Sequence, residues 1–287
     1  MCAKPAGHGT SARRATGAQG LFRYATRPPM ASSFPTLRPP LAAVLALVAS
    51  LALTLWPGSA AARASAPAVG EPTRLEVRGH PDAFYYRARG KGTKPVILYL
   101  HGRNGNAAED CRKWAKVATQ FGWVLCPQAP GDSGGGGRTW MNDAQSGKAV
   151  MDAALASLRA KHKGRVNRYG NILVGFSEGA FVAMQAGLLD QKTWSKWLIL
   201  AASDRYWVTE PGAALTGGTG GGHLQRVYLL TGETDAVAPN TTRVGALLKK
   251  HKVPVRVRIA PGMGHELARE QMITTYRRPL SWLALGR

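Results

Sequence analysis

Three short stretches carry side chains that could share a proton. Gly175, Phe176, Ser177, Glu178 and Gly179 read G-x-S-x-G between an apolar run at 172–174 and a helix-like stretch at 180–188. A serine with glycine on both sides of a strand-to-helix junction can occupy a strained turn, because glycine tolerates close backbone approach. Its hydroxyl then stands clear of the sheet. Downstream, the apolar run at 227–230 leads into Thr-Gly-Glu-Thr-Asp, ending at Asp235, and the run at 255–259 is followed by Pro-Gly-Met-Gly-His, ending at His265. A hydroxyl is a poor nucleophile until a neutral imidazole takes its proton, and a carboxylate behind the imidazole holds the tautomer and stabilises the imidazolium. Ser177, His265 and Asp235 are therefore expected to serve as nucleophile, base and orienting acid in an acyl transfer. Asp204, after the apolar run at 197–202, is the second choice of acid, and Glu233 the third.

Acyl transfer also needs donors for the charge that develops on the carbonyl oxygen. One is expected from the backbone N–H of Glu178, directly after the nucleophile and at the positive end of its helix. The second is expected from the loop after an early strand, where His101 and Gly102 precede Arg103; Arg103 would give its backbone N–H and His101 would order the loop. Trp140, Met141, Tyr206 and Trp207 are candidate walls of a substrate pocket, and residues 209–223 a candidate flap, rich in glycine. The seven histidines are dispersed and no H-E-x-x-H or paired-cysteine spacing occurs, so neither metal nor cofactor is expected. The glycine runs at 134–137 and 217–222 lack the flanking strand, helix and Lys-Ser/Thr of a phosphate loop, and read as flexible surface loops.

The elements that must position these residues alternate from Glu71 onward. Residues 75–78 and 83–89 read as a leading antiparallel pair. Val96 to Leu100 is a continuous apolar run of the kind buried on both faces. A helix follows from about Asn106, with Glu109 three residues on in a capping-box pattern. A strand at 123–126, a loop at 127–140, a helix at 148–159, the strand at 172–174, strands at 197–202 and 227–230, and a helix at 242–250 come next. Residues 255–259 alternate apolar residues with arginine, as at a sheet edge, and a last helix starts near Ala268. This alternation predicts an α/β fold in one domain: a mostly parallel central sheet covered by helices on both faces.

The strings L-H-G-R-N-G-N at 100–106, G-F-S-E-G-A at 175–180, G-E-T-D-A-V-A-P at 232–239 and G-M-G-H-E at 262–266 resemble the phospholipase/carboxylesterase branch of the α/β-hydrolases. That branch shows H-G-x-G, G-F-S-Q-G, G-x-x-D-x-V-x-P and a closing G-H-E. The resemblance spans residues 94–287 and implies a serine ester hydrolase with the same triad and oxyanion donors. Glu178 stands where that branch usually carries glutamine.

Charge and the N-terminal region bear on location. The formal net charge is +22 over 287 residues, and residues 1–62 hold six of the 38 basic residues and none of the 16 acidic ones. Most of the excess thus belongs to the part expected to fold, which suits either a solvated basic surface with no dedicated partner or an anionic surface as a partner. The short basic clusters are not interleaved with aromatics, so specific nucleic-acid binding is not expected. Residues 41–56 are almost wholly apolar, preceded by Arg38 and followed by small residues, the layout of a secretory signal peptide. Met30 would set the usual distance to that apolar run. The expected organisation is a non-native extension at 1–29, a signal peptide at 30–64 and a catalytic domain at 65–287, secreted or periplasmic. The apolar run falls short of the roughly 20 residues of a spanning helix, so no span is expected in the mature form. Export leaves Cys111 and Cys126, either as a disulfide or as two buried thiols. The expected function is hydrolysis of a small or polymeric carboxylic ester. The alternatives are an amidase or peptidase on the same triad, and a non-catalytic exported domain that binds anions.

Overall fold

The computed structural model describes residues 69–207, 211–216 and 222–287, with Tyr206 and Ala213 described by backbone only. All of these lie in a compact unit from Arg63 to Arg287. The expected extension and signal peptide fall outside the described residues.

In chain order the elements are β1 (Thr73–Leu75), β2 (Ala83–Tyr86), β3 (Val96–Leu100), α1 (Ala107–Ala118), β4 (Trp123–Pro127), β5 (Gly131–Gly134), β6 (Gly137–Thr139), α2 (Ala144–Lys161), β7 (Ile172–Phe176), α3 (Glu178–Leu189), β8 (Lys196–Leu200), a 3-10 turn at Asp204–Tyr206, α4 (Gly212–Thr216), β9 (Arg226–Gly232), α5 (Ala238–Lys250), β10 (Val255–Ala260), a 3-10 turn at Arg269–Gln271 and α6 (Met272–Leu285). Eight strands form one sheet in the order β1-β2-β4-β3-β7-β8-β9-β10. The leading pair is antiparallel and joins β4 antiparallel; from β4 to β10 every pairing is parallel.

The apolar runs explain the layering. Side chains alternate between the two faces of a strand, so an unbroken apolar run feeds two cores at once. Leu98, Leu100, Leu173, Ile199 and Leu229 meet Met151 and Leu155 of α2, Val182 of α3 and Val244 and Leu248 of α5 on one face. Ile97, Tyr99, Ile172, Val174, Leu198 and Leu230 meet Trp114 and Val117 of α1 and Tyr276, Leu280 and Leu283 of α6 on the other. The sheet is therefore covered on both sides, as expected.

Several boundaries differ from the sequence reading for local reasons. α2 begins at Ala144 because Asp143 caps it, accepting from the N–H groups of Gln145 and Ser146 at 2.9 and 3.0 Å. α1 is capped by Asn106, whose side chain accepts from the N–H of Ala108 and Glu109. The stretch expected to be wholly loop at 127–140 contains the hairpin of β5 and β6. Gly134, Gly135 and Gly136 form its tip with φ of 87°, 59° and 80°, a conformation that L side chains rarely adopt. The apparent flexible run thus serves a turn. Of the second glycine run, residues 217–221 lie outside the described residues, as do 209–210 of the expected flap.

The question left open about the cysteines is answered by a disulfide between Cys111 on α1 and Cys126 on β4, with their Cα atoms 5.7 Å apart. Among the described residues no helix is long and apolar enough to cross a membrane.

Candidate active site

Ser177 stands between the end of β7 and the start of α3, with φ 53° and ψ −119°. A positive φ is costly for a residue with a side chain, so the surroundings must hold it there. They do so through two glycines. A Cβ on Gly175 would sit 2.7 Å from Ala180 Cα, and one on Gly179 would sit 2.7 Å from Leu100 carbonyl carbon. Only glycine lets α3 fold back this closely over the strand ends. The Ser177 N–H is held by the Leu200 carbonyl at 3.1 Å, so the turn is tied to β8 as well.

His265 lies on the loop after β10 and Asp235 on the loop after β9, so both reach the same rim as Ser177. His265 Nε2 is 2.8 Å from Ser177 Oγ, and His265 Nδ1 is 2.8 Å from Asp235 Oδ2. An ionised carboxylate only accepts, so Nδ1 carries the proton and Nε2 is left to accept from the serine hydroxyl. The Asp235 side chain is 2 % exposed and that of His265 48 %: the carboxylate is sealed beneath the imidazole, while the imidazole lines a cavity. The Val237 N–H donates to Asp235 Oδ1 at 3.0 Å, and the Phe176 ring packs against the imidazole with centroids 5.4 Å apart.

The other two acids are engaged elsewhere. Asp204 accepts from Arg243 Nε at 2.6 Å and from Asn240 Nδ2 at 2.7 Å, and the Arg243 guanidinium holds its carboxyl below the usual range. Glu233 accepts from the Gly262 N–H at 3.1 Å.

The loop after β3 turns tightly, with Asn104 at φ 61° and the Gly105 N–H donating to the Gly102 carbonyl at 3.0 Å. His101 beneath it is fully buried. Its Nε2 accepts from the Ala129 N–H at 3.2 Å, so Nδ1 carries the proton and donates to the Gly102 carbonyl at 2.7 Å. Burial pushes its pKa down. His101 is thus a neutral clasp between two loops, with both ring nitrogens occupied. Arg103, next along, reaches over the site.

Glu178 gathers donors from three directions. Its Oε1 accepts from Arg103 Nη2 at 2.9 Å, Arg103 Nε at 3.3 Å, Thr139 Oγ1 at 3.0 Å and the Asn142 N–H at 3.2 Å. Its Oε2 accepts from the Trp140 N–H and from Thr139 Oγ1, both at 2.9 Å. Burial by itself raises the pKa of this carboxyl; the Trp140 N–H, Arg103 and Thr139 outweigh it and hold the group below its ordinary value.

No protein-family model and no curated protein sequence matches the chain. Solved structures do. Esterase PE8 superposes with a TM-score of 0.55 at 22% identity, over 68% of this chain and 97% of that one. A carboxylesterase of Bacillus cereus gives 0.52 at 17%, over 70% and 92%, and an S-formylglutathione hydrolase of Agrobacterium tumefaciens 0.55 at 16%, over 76% and 96%. The fold is that of the α/β-hydrolases.

In this α/β-hydrolase fold a cavity of about 330 Å³ opens beside Ser177 and His265. Arg103, Asn142 and Ser203 supply its polar wall, and Phe181, Ala201 and Val237 its apolar one. Of the four pocket candidates named from the sequence, Trp140, Met141 and Trp207 are not in this wall. Trp140 is fully buried, its indole N–H donating to the His101 carbonyl at 2.8 Å and its ring set against that imidazole; it packs the loops instead. Met141 is 55 % exposed and does not line the cavity. Trp207 packs against the core on the α2 and α3 side, and the side chain of Tyr206 lies outside the described residues. The lining residues that the sequence reading missed had a faint signal: Phe181 follows Ser177 by four, one turn along α3, and Val237 follows Asp235 by two. Among the described residues no group of three or more His, Cys, Asp or Glu could hold a metal ion.

Proposed function

We propose that the protein is an exported serine hydrolase that cleaves carboxylic esters through an acyl-enzyme. The observation that carries this reading is the unbroken hydrogen-bond chain from Ser177 Oγ through His265 to Asp235, with 2.8 Å at each step. The structural neighbours support it, being esterases and related hydrolases of the same fold. Export is supported by the leader-like N-terminal sequence and by the Cys111–Cys126 disulfide, a bond that persists in oxidising compartments.

In the proposed reaction His265 Nε2 takes the Ser177 proton as Oγ attacks the ester carbonyl. The new imidazolium is stabilised by the buried Asp235 carboxylate, which keeps its own charge. The carbonyl oxygen, now an oxyanion, accepts from the backbone N–H groups of Arg103 and Glu178. Collapse of the tetrahedral intermediate breaks the bond to the alkoxy group, which leaves with the proton from His265. Water then attacks the acyl-serine, His265 again acting as base, and releases the acid with Ser177 regenerated. Ser177→Ala should remove both ester turnover and labelling by a fluorophosphonate while leaving the circular dichroism spectrum unchanged. Labelling retained at another residue of the folded variant would refute the assignment.

A further inference from the structure

We propose that the Glu178 side chain is a positioning residue: as a buried carboxylate it ties the loop that bears the Arg103 N–H to the loop that bears Asn142, and so keeps the oxyanion pocket in register. The proposal rests on the ester-hydrolase reading above.

Every group that the structure places against this carboxylate is a donor: the Arg103 guanidinium, the Thr139 hydroxyl, and the N–H groups of Trp140 and Asn142. The Thr139 oxygen itself accepts from the Met141 N–H at 3.0 Å, so its proton is directed to Glu178. Both carboxylate oxygens must therefore accept. A glutamine amide would set its NH₂ either against the Trp140 N–H or against the Asn142 N–H and Arg103, donor facing donor in either orientation.

The held segment also needs holding. Met141 and Asn142 both have positive φ, 55° and 54°, a conformation that asparagine tolerates but that is costly for methionine, which keeps it where surrounding contacts impose it. The carboxylate takes the N–H on one side of Met141 and the N–H of Asn142 on the other, which pins that bend. Asn142 then lines the cavity, and so does Arg103 from the opposite loop. A lone anion beside the nucleophile would oppose the developing oxyanion. Arg103, 2.9 Å away and 55 % exposed at its side chain, offsets that charge without leaving the site.

Glu178→Gln tests this. The folded variant is expected to show a kcat on a soluble p-nitrophenyl ester about 10- to 100-fold lower, since small misplacement of catalytic groups is that costly, with KM changed less than about threefold. A trifluoromethyl ketone, which forms a tetrahedral adduct on the serine, should weaken in parallel with kcat/KM, because it uses the same oxyanion donors. The amides of Trp140 and Asn142 should exchange faster with solvent than in the parent. Thr139→Val, a milder change, should move all three readouts in the same direction by a few-fold, and it decides the matter if Glu178→Gln does not fold. Unchanged kcat, or a loss matched entirely by a smaller folded fraction with inhibitor affinity intact, overturns the proposal. Parent protein without Ser177-dependent turnover overturns the ester-hydrolase reading instead; amide exchange in the variants then still judges the tether.

Discussion

Asp235 and Asp204 both follow buried strands, and what separates them is what each carboxylate can reach. Asp235 is sealed under His265, whereas Asp204 is shared between Asn240 and Arg243 in a half-exposed pairing. Replacing Asp235 by Asn keeps the shape but offers the imidazole the wrong partner and tautomer, so kcat should fall on the order of 10⁴-fold, as in related triads. Asp204→Asn removes a pair that is largely solvated, worth at most about 1 kcal/mol, and kcat should stay within about twofold of the parent. Steady-state kinetics on the two purified variants checks both; equal losses would reassign the acid. The order Ser177, Asp235, His265 was legible because the first two follow apolar runs that read as buried strands and the third follows an alternating run that reads as an edge strand. The environment of Glu178 was not, since its partners at 139–142 are almost forty residues away and meet it only when the hairpin folds back.

At the scale of elements, the disulfide joins α1 to β4 across 15 residues of chain. Closing a loop of this length restricts the unfolded ensemble and is worth about 3 kcal/mol. The double replacement Cys111→Ala and Cys126→Ala should lower the unfolding free energy by that order in urea denaturation, with turnover of the folded protein kept, because neither cysteine lines the cavity. An unchanged midpoint would mean the bridge contributes nothing. The parallel core from β4 to β9 was legible in the apolar runs, since burial on both faces admits few polar residues, and β10 was legible as an edge strand by its alternation. The β5–β6 hairpin was not: its residues are short, polar and rich in glycine, and they pair through the backbone, which leaves little trace in side-chain pattern.

At the scale of the molecule, the charge has consequences beyond the cleft. Residues 63–287 carry 32 of the basic residues against all 16 acidic ones, and Arg256 and Arg258 lie exposed on β10, at the free edge of the sheet. We expect the protein to bind vesicles that contain anionic lipid at low ionic strength and to release as salt rises toward about 0.5 M, where the Debye length falls to a few ångströms. Turnover of a neutral soluble ester should not follow the same salt curve. Co-sedimentation with anionic and zwitterionic vesicles separates the cases, and equal binding to both would rule out an electrostatic surface.

Residue types and spacing alone determined the alternation of strands and helices, the serine turn and the placing of Asp235 and His265 after late strands, because these depend on local backbone sterics and on which segments must be buried. Which candidate aromatics line the cleft, whether the two cysteines meet, and what surrounds the Glu178 carboxylate were decided only by the tertiary structure. Each is a matter of segments distant in the chain coming within a few ångströms, and no periodicity in one segment encodes the distance to another.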